Sequence, residues 1–154
     1  MRPAAKRCRD FVRAYTAPFY YEEPVRQGML AYKFRNAPSR GKVFGRILGE
    51  DLLRRGVGDF DLISWVPLSA KRYRRRGYDQ AQLLAEAAAE VLGTKAVPLL
   101  RKARDVSPQS RLRTPEERRA NISGCYVVRS ADAVRGKRIL LIDDVITTGS
   151  TLSV

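Results

Sequence analysis

An α/β fold, a parallel sheet flanked by helices, is what this sequence predicts, on three observations. Two short β-prone apolar runs, residues 62–66 and 139–142, are separated by segments whose apolar residues recur at helical spacing. The later run, Ile139-Leu140-Leu141-Ile142, is continuous in the manner of a parallel strand buried on both faces. Breakers stand where such elements should end, at Pro67, Gly93 and the Arg135-Gly136-Lys137 turn.

Taken in order, Val25, Met29 and Tyr32, then Phe44, Ile47, Leu48 and Leu52, mark two amphipathic helices interrupted by Asn36-Ala37-Pro38-Ser39 and expected to pack on the sheet. Leu62-Ile63-Ser64-Trp65-Val66 forms a buried strand stopped by Pro67, and a basic loop follows it directly. Asp79 with Gln82 three residues on resembles a capping box, and Leu84, Ala88, Val91 and Leu92 give the helix behind it an apolar stripe ending at Gly93. Residues 96–100 and 125–128 are further candidate strands. Between them runs a polar, arginine-rich connection, 101–121, so long that it is expected to be functional or mobile.

With 154 residues and 44% hydrophobic content, the chain can bury one sizeable core. No apolar run approaches the roughly 18 to 20 residues of a membrane span, and no apolar segment follows the charges at the start, so a cytoplasmic protein is expected. The absence of histidine excludes histidine catalysis. With Cys8 and Cys125 as the only cysteines, it also excludes a four-ligand Cys/His zinc site within one copy. A net charge of +14, concentrated in residues 71–76, 101–119 and 135–138, favours polyanionic partners, either nucleic acid or phosphorylated small molecules.

The chemistry is concentrated where the second apolar run ends. Asp143 and Asp144 sit at its carboxyl end, the edge at which open α/β sheets bind ligands, and Thr147, Thr148, Gly149, Ser150 and Thr151 follow. Hydroxyl donors, a glycine that admits close backbone approach and the N–H groups of a starting helix together suit a phosphate. Carboxylates repel a phosphate, so the acid pair is better explained as accepting from vicinal sugar hydroxyls one ribose away. A 5-phosphorylated ribose satisfies both halves. The plainer alternative, carboxylates that cap the turn or pair with arginines, leaves the joint occurrence of strand, acid pair and hydroxyl-rich turn without a reason. No Gly-x-x-x-x-Gly-Lys-Ser/Thr or Gly-x-Gly-x-x-Gly loop is present, which removes kinase and dehydrogenase readings.

This segment resembles the phosphoribosyl pyrophosphate (PRPP) signature of type I phosphoribosyltransferases. The order of Tyr21, Lys33-Phe34, Val66-Pro67-Leu68-Ser69, Arg76-Gly77-Tyr78-Asp79-Gln80, Gln109, Leu112, Arg118, Asn121 and Gly124 before it resembles the competence-associated, amidophosphoribosyltransferase-like ComF branch. The resemblance implies a type I phosphoribosyltransferase-like sheet over residues 20–154, incomplete at the C-terminus. Residues 1–19 would be an N-terminal extension lacking the family's four-cysteine zinc module, with Cys8 as its only relic.

It implies that Asp143 and Asp144 are catalytic residues holding the ribose diol, and that Thr147 to Thr151 bind the 5′-phosphate. Ser69, Lys71, Arg74, Arg75, Arg76 and Gly77, in the loop after the first strand, would receive Mg²⁺-pyrophosphate, which guanidinium forks can bind bidentately. Asp79 adds a negative charge beside that loop. Residues 101–121, with Arg101, Gln109 and Arg118, would be the hood that closes over the sugar and excludes water. The expected function is transfer or recognition of a 5-phosphoribosyl group, with Mg²⁺ bound to PRPP. The alternative is a non-enzymatic PRPP-sensing or single-stranded DNA-handling factor, to which Tyr73 and Tyr78 among the basic residues also point. The acceptor is not identified, and the oligomeric state stays open, with a homodimer as one option.

Overall fold

A computed structural model of the chain describes residues 14–34, 37–103 and 125–145. Within them the order of elements is α1 (Val25–Phe34), α2 (Ser39–Arg54), β1 (Leu62–Trp65), α3 (Ala70–Arg76), α4 (Gln80–Val91), β2 (Leu100–Lys102), β3 (Tyr126–Val128), α5 (Ala131–Val134) and β4 (Ile139–Ile142). The fold is mixed α/β. β1 and β4 pair in parallel, Leu62 opposite Ile139 through Trp65 opposite Ile142, while β2 and β3 form a separate antiparallel pair.

β1 holds the middle of the parallel layer. One edge takes β4, and the other is bridged by Ala96, with Val97 N–H donating to the Ile63 carbonyl at 2.9 Å. The expected strand at 96–100 is therefore a parallel bridge at Ala96 followed by β2, which begins only at Leu100. Ser64, fully buried on β1, satisfies its hydroxyl by accepting from Leu99 N–H at 3.2 Å.

Ile63, Trp65 and Ile142 from the sheet join Met29 and Tyr32 from α1 and Ala81, Leu84, Ala85, Ala88 and Ala89 from α4 in one core. α4 lies on β1 and β4, and α2 packs chiefly on α4 rather than on the sheet. A stripe of glycines explains how closely α2 and α4 approach. A Cβ on Gly45 would stand 2.6 Å from Ala87 Cβ and 2.7 Å from the Leu84 carbonyl oxygen, and one on Gly49 would stand 2.7 Å from Val91 Cβ. At the C-terminal end of α2 the buried Asp51 carboxylate takes Arg54 and Arg55. Burial pushes that carboxyl up, but the two guanidinium hydrogen bonds outweigh it and hold it below its ordinary range.

Two further expectations, for the segment after β1 and for β4, are not met. The segment after β1, expected as a loop, contains a two-turn helix, α3. Ser69 caps its start by accepting from Arg72 N–H, Gly77 ends it in the left-handed conformation, and the lysine and arginines between are good helix formers. β4, expected to be buried on both faces, is buried only at Ile142. Ile139 is 38% exposed, because β4 has a single hydrogen-bonded neighbour among the described residues and borders a cavity of about 1320 Å³.

The glycine stripe sets a test. Alanine for glycine in an exposed helix interior stabilises by about 1 kcal/mol, but overpacking against backbone costs roughly 1–3 kcal/mol. Gly45→Ala is therefore expected to lower stability in urea unfolding, and Gly45→Leu to lower it further; a more stable Gly45→Leu variant would contradict this packing.

Candidate functional site at the carboxyl edge of the parallel pair

Because β1 and β4 run parallel and in register, their carboxyl ends arrive together. Val66 N–H donates to the Ile142 carbonyl at 3.0 Å, and the next residues on the β4 side are Asp143 and Asp144. The turn out of β1 is held by Asp79, whose buried carboxylate accepts from Leu68 N–H at 2.7 Å and from Gln82 N–H at 3.3 Å. Burial pushes the Asp79 carboxyl up, against the backbone hydrogen bonds that lower it. One carboxylate thus ties the end of β1 to the start of α4. Gln82 does not reach back as a capping box would; its amide donates to Glu86 at 2.8 Å.

The basic residues of α3 divide by direction. Lys71, Arg74 and Arg75 are exposed, as is Tyr73 at 49%, whereas Arg72 is half-buried and so is Arg76, which turns inward. Its Nη1 donates to Gln80 Oε1 at 2.7 Å and its guanidinium lies 5.2 Å from the Phe34 ring centroid. Arg76 Nε and Gln80 Nε2 are buried donors without a hydrogen-bond acceptor. Ser69 is buried in its capping role, and Gly77 closes the helix.

α1 brings a residue that the charge pattern did not single out. Lys33 Nζ lies 2.9 Å from Asp144 Oδ2, with both side chains about four-fifths buried. The pairing is with a lysine of α1, not with the arginines near the acids in sequence. Asp143 Oδ1 in turn accepts from Asp144 N–H at 2.8 Å. In the sequence Lys33 is marked only by the Lys33-Phe34 pair that carries the family resemblance. Its position in the last turn of a helix that contacts the site is decided by packing alone, because Tyr32 Oη donates to the Gln80 carbonyl at 2.8 Å and Tyr78 Oη donates to the Tyr32 carbonyl.

Of the other expected site residues, Thr147, Thr148, Gly149, Ser150 and Thr151 lie outside the described residues, as do Gln109 and Arg118. Arg101 lies exposed on β2, in the other sheet, opposite Val127. No group of three or more Cys, Asp or Glu side chains able to hold a metal occurs among the described residues, and none of their helices is long and apolar enough to cross a membrane.

Comparison with known proteins gives sequence relatives. The chain is 32% identical over 140 residues to competence protein ComFC of Streptococcus pneumoniae, covering 91% of this chain and 59% of the relative. It is 30% identical over 138 residues to the DNA utilization protein YhgH of Salmonella typhimurium, covering 86% and 60%, and 35% identical over 89 residues to competence protein F of Haemophilus influenzae, covering 57% and 39%. The chain belongs to the ComF family. It spans about three-fifths of the length of the first two of these relatives. No protein-family model and no solved structure matches it.

In this ComF protein the two site acids differ in environment. Burial, and then repulsion from Asp144, push the Asp143 carboxyl up to about 7, although Asp144 N–H and the charge of Lys33 both act to lower it. An acid raised in the folded state binds its proton more tightly there than in the unfolded chain. Its contribution is therefore neutral below the unfolded value of 3.8, is lost as pH rises toward about 7, and is constant above that. Asp143→Asn keeps an oxygen for Asp144 N–H and removes the titration. Its melting temperature should match the parent's near pH 4 and exceed it by about 3 °C or more at pH 8. Thermal melts across that range check this, and a constant difference at every pH would contradict it.

Proposed function

We propose that this ComF protein binds PRPP, with Mg²⁺ as part of the ligand, and transfers or recognises its 5-phosphoribosyl group. The observation that carries the reading is the pair Asp143 and Asp144 at the carboxyl edge of the β1/β4 parallel pair, beside basic α3. The carboxylates would accept from the ribose 2′- and 3′-hydroxyls, and the hydroxyl-rich residues that follow in sequence, Thr147 to Thr151, would hold the 5′-phosphate. Departure of pyrophosphate from C1′ leaves an oxocarbenium-like centre, whose positive charge nearby carboxylates favour.

On this reading the leaving group lies toward α3. Arg76 is the best placed of its basic residues, since it is half-buried, senses the charge of Asp144 and has a buried donor free of an acceptor. Ser69 and Gly77 contribute through the helix ends they form, and the outward Lys71, Arg74 and Arg75 contribute longer-range charge. Arg101, Gln109 and Arg118 remain the residues proposed for the hood.

Titration calorimetry with PRPP and Mg²⁺ is expected to show saturable binding that Asp143→Asn with Asp144→Asn weakens by at least about thirtyfold, the loss of hydrogen bonds to charged acceptors. Binding unchanged in the double variant would sink this reading.

A second function, single-stranded DNA handling, is favoured by the exposed Lys71, Arg74 and Arg75 with Tyr73 between them, and by relatives named for competence and DNA utilization. A basic surface with an aromatic face suits backbone contact with base stacking. Binding to an oligothymidine should weaken steeply with salt. Arg74→Ala with Arg75→Ala should reduce the log–log slope by roughly 1.4, about 0.7 for each lost phosphate contact. No binding at low salt would remove this function.

A further inference from the structure

Three consecutive residues of α1 each touch a different part of the site's frame. Tyr32, fully buried, donates to the Gln80 carbonyl at 2.8 Å, Lys33 pairs with Asp144 at 2.9 Å, and Phe34 lies under the Arg76 guanidinium at 5.2 Å. The outer two contacts leave the lysine between them little freedom. Tyr32 is wedged close to α2, where a Cβ on Gly41 would stand 2.5 Å from its hydroxyl oxygen, so α1 cannot rotate without breaking that packing. A lysine ammonium on a four-carbon stem usually moves among many rotamers. Here it is about four-fifths buried and pairs with one carboxylate oxygen.

We propose that Lys33 is a positioning residue of this site: through its ion pair it fixes the orientation of Asp144, so that the two adjacent acids present acceptor oxygens in the arrangement a vicinal diol requires. This rests on the PRPP reading above. Lys33 Nζ occupies one side of the Asp144 carboxylate, leaving the other oxygen as an acceptor. Asp143 is held from the opposite direction, its Oδ1 taken by Asp144 N–H. The remaining charged and titratable groups are Arg76 from α3 and Tyr32 from α1 around Asp144, Tyr126 from β3 around Asp143, and Asp79 at the start of α4, whose charge acts on both acids. Of these groups, Lys33 alone forms an ion pair with either acid among the described residues.

The test compares Lys33→Met, which keeps the length and apolar stem, with Lys33→Arg, which keeps the charge, each in the full chain. Calorimetry with PRPP and Mg²⁺ should show Kd raised at least about tenfold in Lys33→Met, and within about threefold of the parent in Lys33→Arg. A second readout uses no ligand. The carboxyl carbon of Asp143, followed by NMR against pH, should titrate at higher pH in Lys33→Met than in the parent, since Lys33 acts to lower it. Parent-like PRPP affinity in Lys33→Met overturns the proposal. So does an unmoved Asp143 midpoint with Lys33→Arg binding as poorly as Lys33→Met, which would mean that the lysine serves packing alone. If the parent chain fails to bind PRPP, the reading of the site falls instead; the ligand-free titration then decides the Lys33 link by itself, and an unmoved midpoint overturns it.

Discussion

The in-register parallel pairing of β1 with β4 is the constraint on which the rest depends. Each strand ends in residues that have no role by themselves, a Val-Pro exit on one and two carboxylates on the other. The ladder that sets Trp65 opposite Ile142 brings both exits to the same edge. A slip of one residue would reverse which side chains face the core, sending Ile63 and Trp65 outward. Burial of those two, with Ile142, against the alanine-rich face of α4 therefore holds the acid pair in place as firmly as any contact the acids make themselves.

Helix packing then decides the electrostatics. Glycines on α2 let it approach α4 closely, and α1 is anchored to the same unit through Tyr32 and Tyr78. These contacts deliver Lys33 to Asp144 and Phe34 to Arg76. Adjacent carboxylates in a partly buried setting would otherwise repel each other with little relief. The lysine compensates one of them directly, and the proton affinity of the other rises. A carboxyl that changes charge near neutral pH, beside one held in an ion pair, gives the site two chemically distinct acids from two identical residue types.

The high positive charge divides in a similar way. Arg54 and Arg55 serve the buried Asp51, Arg138 pairs with Asp59 and Asp61, and Arg76 serves the site's frame. The outward residues of α3 have the exposure that a polyanion would need. Composition reports only their sum, and the fold separates the basic side chains that maintain structure from those that meet solvent.

Local chemistry was enough to read much of this molecule from the chain. Apolar periodicity located α1, α2 and α4, and Pro67 and Gly93 marked where elements stop; the continuous run at Ile139–Ile142 and its terminal acids identified the strand and the candidate site, because these signals lie within a few residues of one another. Helix α3 reads as a loop from its charge alone, although Ser69 and Gly77, ordinary cap residues, stand at its ends. What no local pattern contained was the neighbour set: β4 with a single strand neighbour among the described residues, Arg76 reaching Gln80 and Phe34 while Arg74 and Arg75 face solvent, and Lys33 reaching an acid more than a hundred positions away. Spacing along a chain specifies which face of an element is apolar. Which faces meet, and therefore which charges come within reach of each other, is settled only when the elements pack.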